Sequence, residues 1–370
     1  MTIRTLHLET GRHLLGGAMQ TKHLVHGLEE RGVPALLVCP DNGELYRAAT
    51  REGLDVQGVR YRGDHDLTLV LKLSRIIRSA KPDIVHLHSR RGADIFGALA
   101  AKWVGHPNVI ITRRVDNPIS AGMLNGFCIG KIPKAIVCVS DGISSVMKEA
   151  GFPSEKIAVI HSAVDASAYD STLSKWEARK ILRVLPASPL LCVIGQLIPR
   201  KGHHILLDAL PSLRNKFKDI RVLVVGSGPH RSRLEAQVRK LDLGGCVQFM
   251  GFRSDISTIL RASDMLVHPA LLEGFANVGL QAMASGIPVV TTSVGGMPEM
   301  VQHEITGLVV PPGDSKSLTQ AIEELLSNPG RCSMMGRLGP SHYTHLPPLY
   351  PIVLSDEHRE RADELGEAGV

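Results

Sequence analysis

Aromatic residues are scarce: seven Phe, five Tyr and two Trp make up 4% of the 370 residues. No basic run is interleaved with them, so a base-stacking surface for nucleic acid is not expected. Long apolar runs are missing too. None approaches the roughly 20 residues that a helix needs to cross a bilayer. Met1-Thr2-Ile3-Arg4 passes into a strand-like Leu6-His7-Leu8 and not into the apolar stretch of a signal peptide. These absences set the expectation of a cytoplasmic protein. The six cysteines, Cys39, Cys128, Cys138, Cys192, Cys246 and Cys332, show no CxxC spacing, and several lie in apolar strand-like runs. They read as small buried hydrophobes in a reducing compartment, with neither a zinc site nor a disulfide framework expected.

What is there is globular. Hydrophobic content of 44% and charged content of 21%, over this length, suit two ordinary domains, each large enough to bury its own core. The formal net charge of +6 favours acidic partners. Nucleotide diphosphates and peripheral contact with an anionic membrane surface both fit; nucleic acid fits less well.

The chain alternates strand and helix patterns from its start, the mark of parallel sheets covered by helices. Residues 3–8 read as a strand, Gly11 to Gly17 as a glycine-rich loop, Ala18 to Arg31 as a helix ended by Gly32, and Ala35 to Val38 as a strand. Within that loop Gly16 and Gly17 either make a plain turn or approach a ligand. Further units follow: a helix around Leu67 to Ala80, strand Ile84 to His88, helix Ala93 to Trp103, strands Val109 to Ile111 and Ala135 to Val139, and a helix that Ser140 would cap. His86 and His88 share one side of a strand at its carboxyl edge, beside Arg90 and Arg91. Open α/β sheets bind ligands at that edge. A lone strand histidine is read as structural, but two beside paired arginines point to a site. The next strand leads into Arg113, Arg114 and Asp116. Two arginines at the mouth of a sheet repel unless an anion answers them, or Arg114 pairs with Asp116 at the surface.

Ser, Pro and charge displace the apolar runs over 166–188, read as a linker between a first domain at 1–165 and a second at 189–336. An atypical tail, 337–370, follows; Gly339-Pro340 to Pro351 holds four prolines, a density that argues against a continuous helix. The second domain opens with the strand Leu190 to Gly195, then Gln196-Leu197-Ile198-Pro199-Arg200-Lys201-Gly202 and a helix. Two cations and a helix start converge there, a diphosphate site in physical terms or else a basic loop with no ligand. Gly226-Ser227-Gly228 lacks the third glycine and the acidic partner of a dinucleotide fingerprint, so an NAD site is weakly supported.

The rest is organised around 266–299. A strand breaks at His268-Pro269, the Glu273-Gly274-Phe275 turn follows, a helix runs from Val278 to Ser285, and a strand begins at Ile287. Gly274 permits a tight turn before a helix start whose free amides make an anion cradle. Glu273 is a carboxylate acceptor suited to sugar hydroxyls, or a solvated loop residue. Gln281, eight residues on, shares its side of the cleft or lies on the helix surface.

That order, continued by Ala282-Met283-Ala284, Ser285-Gly286-Ile287-Pro288-Val289-Val290 and Gly295-Gly296-Met297-Pro298-Glu299, resembles the donor-site signature of the retaining GT-B glycosyltransferases of family 4, group 1. Arg113-Arg114-Val115-Asp116 is similar to a loop of the branch for bacterial envelope and lipopolysaccharide glycans, and the resemblance as a whole covers about residues 3–336. It implies an α/β fold of GT-B type, two doubly wound Rossmann-like domains facing a cleft. It also implies sugar transfer from a nucleotide-sugar donor, a UDP-sugar being expected, to a lipid-linked or oligosaccharide acceptor, with no metal or other cofactor. The residues it singles out for catalysis are Glu273, Lys201 and His88. On the donor side stand Gly16, Gly17, Gln196, Arg200, Lys201, Gly226, Gly228, Phe252, Arg253, Glu273, Gly274, Phe275, Ala276 and Gln281. His86, Arg90, Arg91, Arg113, Arg114 and Asp116 stand on the acceptor side; core packing is the other reading of Phe252.

Besides the tail from 337, which stands where the family has a helix crossing back onto the first domain, the sequence departs from the family at three places. Gln281 stands where the family has its second glutamate, Gln196 where it has an arginine, and Arg114 near where many members have a histidine. An amide accepts without the charge that strengthens such bonds, so a weaker hold on the ribose is expected. Arg200 is placed to compensate for Gln196. Two other readings of the chain are a nucleotide-sugar-binding protein that has lost catalysis and a GT-B-like sugar-nucleotide epimerase. The latter would need acidic residues, of which only Glu273 and Asp116 qualify.

Overall fold

The computed structural model describes residues 3–345 except 64, 89–91, 116–118, 120 and 170–172. The first domain is built on a sheet of seven strands, β1 (Thr5–Leu8), β2 (Ala35–Pro40), β3 (Val56–Val59), β4 (Ile84–Leu87), β5 (Val109–Arg113), β6 (Ala135–Cys138) and β7 (Ile157–Val159), in the order β3-β2-β1-β4-β5-β6-β7. The second is built on six, β8 (Leu190–Ile194), β9 (Arg221–Val225), β10 (Val247–Gly251), β11 (Met265–His268), β12 (Val289–Thr292) and β13 (Gly307–Val310), in the order β10-β9-β8-β11-β12-β13. All neighbouring strands are parallel. Their short, largely apolar runs fit this, because helices on both faces bury both sides of such strands; all four residues of β12, Thr291 and Thr292 included, are buried. Strand order reverses between β1 and β4 and between β8 and β11. Loops that diverge from neighbouring strand ends leave a crevice at such points.

Several elements differ from the sequence reading. The first helix begins at Gly16, so Gly16 and Gly17 form its opening turn and not a loop. The helix Glu44–Arg51 and strand β3 were not anticipated, although the helix buries Leu45, Ala48 and Ala49 along one face at helical spacing. Inside the expected linker lies the helix Lys175–Ile181, started by a capping box of Ser174 and Glu177. It docks on the second domain, where Arg179 donates to the Ala262 carbonyl at 2.9 Å and to Asp264 at 3.0 Å. The last helix, Pro329–His345, continues through Pro340, where a break was expected. Gly336 and Gly339 let it lie directly against Gly286 and Met283 at the end of the helix Asn277–Ala284. Tertiary packing of that kind outweighs the hydrogen bond that a proline removes.

One buried cluster joins Leu6, Leu87, Ile111 and Ile143 of the first domain to Phe275 and Met297 of the second, and another lies between the second sheet and the helices His203–Lys216 and Ser315–Ser327. The domains also meet through hydrogen bonds. Asn277 Nδ2 donates to the Gly16 carbonyl at 3.1 Å, and Glu299 accepts the amides of Asp141 and Gly142 at 2.8 Å each. Among the described residues no helix is long and apolar enough to cross a membrane.

Candidate functional site

The switch point of the second sheet brings two loops together. One leaves β8 through Gln196 and the short turn Pro199–Lys201; the other leaves β11 at His268 and runs to the helix Asn277–Ala284. They are laced together, with Leu271 N donating to the Arg200 carbonyl at 2.7 Å and the Arg200 side chain, through Nη1, to the Leu272 carbonyl at 3.3 Å. At their junction Lys201 Nζ is ion-paired with Glu273 Oε2. His268 Nε2 donates to the same oxygen at 3.0 Å, and Gly274 N to Oε1 at 3.2 Å. Glu273 is 7% exposed. Burial alone would push its carboxyl up, but the Lys201 ammonium and the His268 hydrogen bond outweigh that and hold it far below the usual carboxylate range. Burial lowers His268, against the opposing pull of Glu273, so it serves as a neutral donor.

The result is an oriented, ionised carboxylate beside an ammonium that has three N–H donors, only one of which meets Glu273. A polyol can donate to the first and an oxyanion can accept from the second. The sequence reading missed His268. Its signal was the placement of a polar residue at the carboxyl end of a strand, five residues before Glu273.

Around this centre, Gly226 has φ of 137° and lies so close to Gly195 that a Cβ would sit 1.9 Å from the Gly195 carbonyl oxygen. Gly228 packs in the same way on Leu197, so both glycines serve the joining of the β8 and β9 loops. Phe252 is 68% exposed beyond β10, which corrects the expectation that it packs in the core. The following turn lifts it off the sheet, and Arg253 is engaged by Asp255 through two bonds of 2.7 and 2.5 Å. Gln196 lies in the β8 loop, its carbonyl accepting Ile198 N. Gln281 is half-buried, and its side chain makes no hydrogen bond among the described residues. Phe275 and Ala276 are buried, with the Phe275 ring against His161 of the first domain at a centroid distance of 5.0 Å.

The opposite wall departs further from expectation. His86 and His88 are buried. His86 Nε2 bonds Thr112 Oγ1 at 2.7 Å. Both nitrogens of His88 are engaged within the protein, Nδ1 with Arg114 Nη2 at 3.3 Å and Nε2 with His7 Nδ1 at 3.0 Å, so His88 does not face an acceptor as anticipated. Arg113 is buried at the end of β5, whereas Arg114 reaches the seam, with its Cδ beside Gly17 and its carbonyl against Gly274. Arg90, Arg91 and Asp116 lie outside the described residues, as does the suggested Arg114 to Asp116 pair. His7, His161, Asn277 and Glu299 were missed as well, since their partners lie 81 or more residues away.

Comparison with known proteins agrees with this architecture. The family model described as "Glycosyl transferases group 1" matches residues 174–342, and "Glycosyltransferase Family 4" matches 16–168. The lipopolysaccharide core biosynthesis mannosyltransferase LpsB of Rhizobium meliloti is 34% identical over 170 residues, 44% of this chain and 48% of that protein. The chain thus spans about half the length of that relative. The Escherichia coli UDP-Gal:alpha-D-GlcNAc-diphosphoundecaprenol alpha-1,3-galactosyltransferase is 27% identical over 271 residues, 70% of each chain. Among solved structures, Anabaena HepE in complex with UDP-glucose superposes with a TM-score of 0.82 at 20% identity, covering 99% of this chain and 100% of that one. WaaG, a glycosyltransferase of lipopolysaccharide biosynthesis, does so at 0.71 and 16%, covering 98% and 99%. Two family models that between them span both domains, on a GT-B fold shared end to end, place this chain in family 4, group 1, of the glycosyltransferases.

Proposed function

We propose that the protein transfers a hexosyl group, with retention of configuration, from a UDP-sugar to a lipid-linked or oligosaccharide acceptor of the bacterial envelope. The observation that carries this reading is the Lys201, Glu273 and His268 cluster at the switch point of the second sheet, with the Arg114 carbonyl of the first domain against the adjoining Gly274. The names of the relatives support it: LpsB is a mannosyltransferase of lipopolysaccharide core biosynthesis, the Escherichia coli relative transfers galactose from UDP-Gal to GlcNAc-diphosphoundecaprenol, and HepE is solved with UDP-glucose. Lys201 and the helix-start amides behind it neutralise the leaving diphosphate, a role for which no metal is proposed. Glu273 accepts hydrogen bonds from the donor sugar and fixes its angle. The anomeric C–O bond to phosphate breaks, the bond to the acceptor oxygen forms on the same face, and the departing phosphate oxygen takes the acceptor proton. The basic balance of the chain supports a peripheral position on an anionic membrane surface.

The test is thermal stabilisation across UDP-, GDP- and ADP-sugars, followed by product analysis with Glu273→Gln and Lys201→Ala as controls. A ligand that binds only the folded state raises the melting midpoint by mass action. A shift with UDP-sugars, diminished in both variants, and an α-linked product from an α-linked donor are expected. An altered sugar nucleotide formed without acceptor would instead identify an epimerase, and binding without any product a protein that only binds.

A further inference from the structure

We infer that Thr5, His7 and His88 form a one-way hydrogen-bond relay that positions Arg114 at the seam between the domains, which makes His7 a positioning residue. The inference rests on the transfer reading above for its purpose, though not for its geometry.

His7 on β1 stands in register with His86 on β4, and His88 lies two residues further on the same face, so the reversal of strand order gathers three imidazoles. All three are buried. Burial lowers each well below the ordinary histidine value, so each is neutral and carries one N–H. That single proton makes the direction decidable. A guanidinium only donates, so the 3.3 Å contact with Arg114 makes His88 Nδ1 an acceptor. His88 must then be protonated at Nε2, which donates to His7 Nδ1 at 3.0 Å. His7 is in turn protonated at Nε2, which donates to Thr5 Oγ1 at 3.0 Å, and the Thr5 hydroxyl donates to the Pro34 carbonyl at 3.3 Å. Every link points away from Arg114. A bound metal would demand the opposite at His88: ligation through Nε2 would put the proton on Nδ1, donor facing donor.

The far end of the relay is the Pro34 carbonyl just before β2, and its near end is the long, flexible side chain of Arg114. Arg114 needs the restraint because it lies where the parts of the cleft meet, its Cδ beside Gly17 and its carbonyl against Gly274. His86 supplies an internal control. It is as buried as the other two, and its ring lies 3.9 Å from that of His88, centroid to centroid, but its hydrogen bond goes to Thr112 and it is not a link in the chain.

Two measurements on the full chain test this. In protein labelled with ¹⁵N-histidine, long-range ¹H–¹⁵N spectra should show His7 and His88 each as the neutral Nε2–H tautomer. Arg114→Ala should move the His88 Nδ1 resonance and leave His86 in place. An Nδ1–H tautomer at His88, or no response to Arg114→Ala, overturns the relay. With UDP-glucose as donor, His7→Leu should lower kcat/KM for UDP release about tenfold in the parent and less than twofold in the Arg114→Ala background, as coupled neighbours do. His86→Leu should match the loss of melting temperature without the kinetic loss. Equal losses in both backgrounds, or the same kinetic loss from His86→Leu, overturn the positioning role. An intact relay in the spectra with no UDP release from any nucleotide sugar counts against the transferase reading and leaves the geometry standing.

Discussion

Glu299 of the second domain accepts the amide of Gly142 in the first at 2.8 Å, across 157 positions of sequence. The Asp141 amide reaches the other carboxylate oxygen at 2.8 Å, and His161 Nε2 donates at 3.1 Å. A carboxylate from one domain thus caps a helix of the other, with the helix dipole in its favour. Burial works to raise the Glu299 carboxyl, but His161 and the two amides hold it below its ordinary value. Glu299→Ala is therefore expected to cost about 1–2 kcal/mol and to let the domains separate. Unfolding curves and the radius of gyration from solution scattering measure the two effects. If neither changes, the cap does not hold the domains together.

Stability should fall on mild acidification. His7 is pushed down to about 3, as is His203, and His86, His88 and His268 are lowered as well, burial being the chief cause for all five. Below the ordinary value of 6.5 the unfolded chain takes up protons that the folded one refuses, so stability is lost as pH drops through that point. Glu273, whose folded value is depressed, adds to the loss only below its unfolded value of 4.5. Both ring nitrogens of His203 are buried without a partner among the described residues. His203→Leu should flatten the decline between pH 6.5 and 5 and cost little or nothing at pH 7. A melting temperature independent of pH over that range would refute the account.

Removing Lys201 leaves an ionised carboxylate buried with its main partner gone. Lys201→Ala is expected to cost about 3–5 kcal/mol, and the Lys201→Ala, Glu273→Gln double variant much less than the two single losses added. Denaturant titration of the four proteins settles it, strict additivity being the adverse result. Transfer should fall by about two orders of magnitude or more in Glu273→Gln.

Phe252 offers an exposed ring at the rim of the second sheet. Phe252→Ala should change stability by no more than about 0.5 kcal/mol yet weaken UDP binding by about 1–3 kcal/mol if the ring stacks on the base. Calorimetric titration with UDP and with uridine-free pyrophosphate separates these effects. Equal affinity of parent and variant for UDP would remove Phe252 from the site.

Gln281 offers a gain in place of a loss. Its side chain has no hydrogen-bond partner among the described residues, and a carboxylate would accept from a diol more strongly than an amide does. Gln281→Glu should tighten UDP binding several-fold and leave the affinity for 2′,3′-dideoxy-UDP unchanged. Equal tightening for both nucleotides would show that the added charge acts elsewhere.

Local pattern determined the alternation of strand and helix, the Ser140 cap and the two loops of the second domain, and the resemblance to family 4 singled out Glu273 and Lys201 within those loops. Those features depend on side-chain period, glycine placement and helix-start chemistry, all within a few residues of one another. Only the tertiary structure decided the rest. Phe252 was open to a donor-side and a core reading, and the turn after β10 exposes it. The last helix passes Pro340 because glycine-mediated packing against a distant helix outweighs one lost hydrogen bond. His7 looked like any polar residue in a buried strand, and His88 like a candidate for the cleft. Which way each imidazole donates depends on Arg114, 26 residues beyond His88, and on a strand order in which β1 lies next to β4. Periodicity reports which face of an element is buried. It carries no information about which neighbour supplies the hydrogen bond once that face is buried.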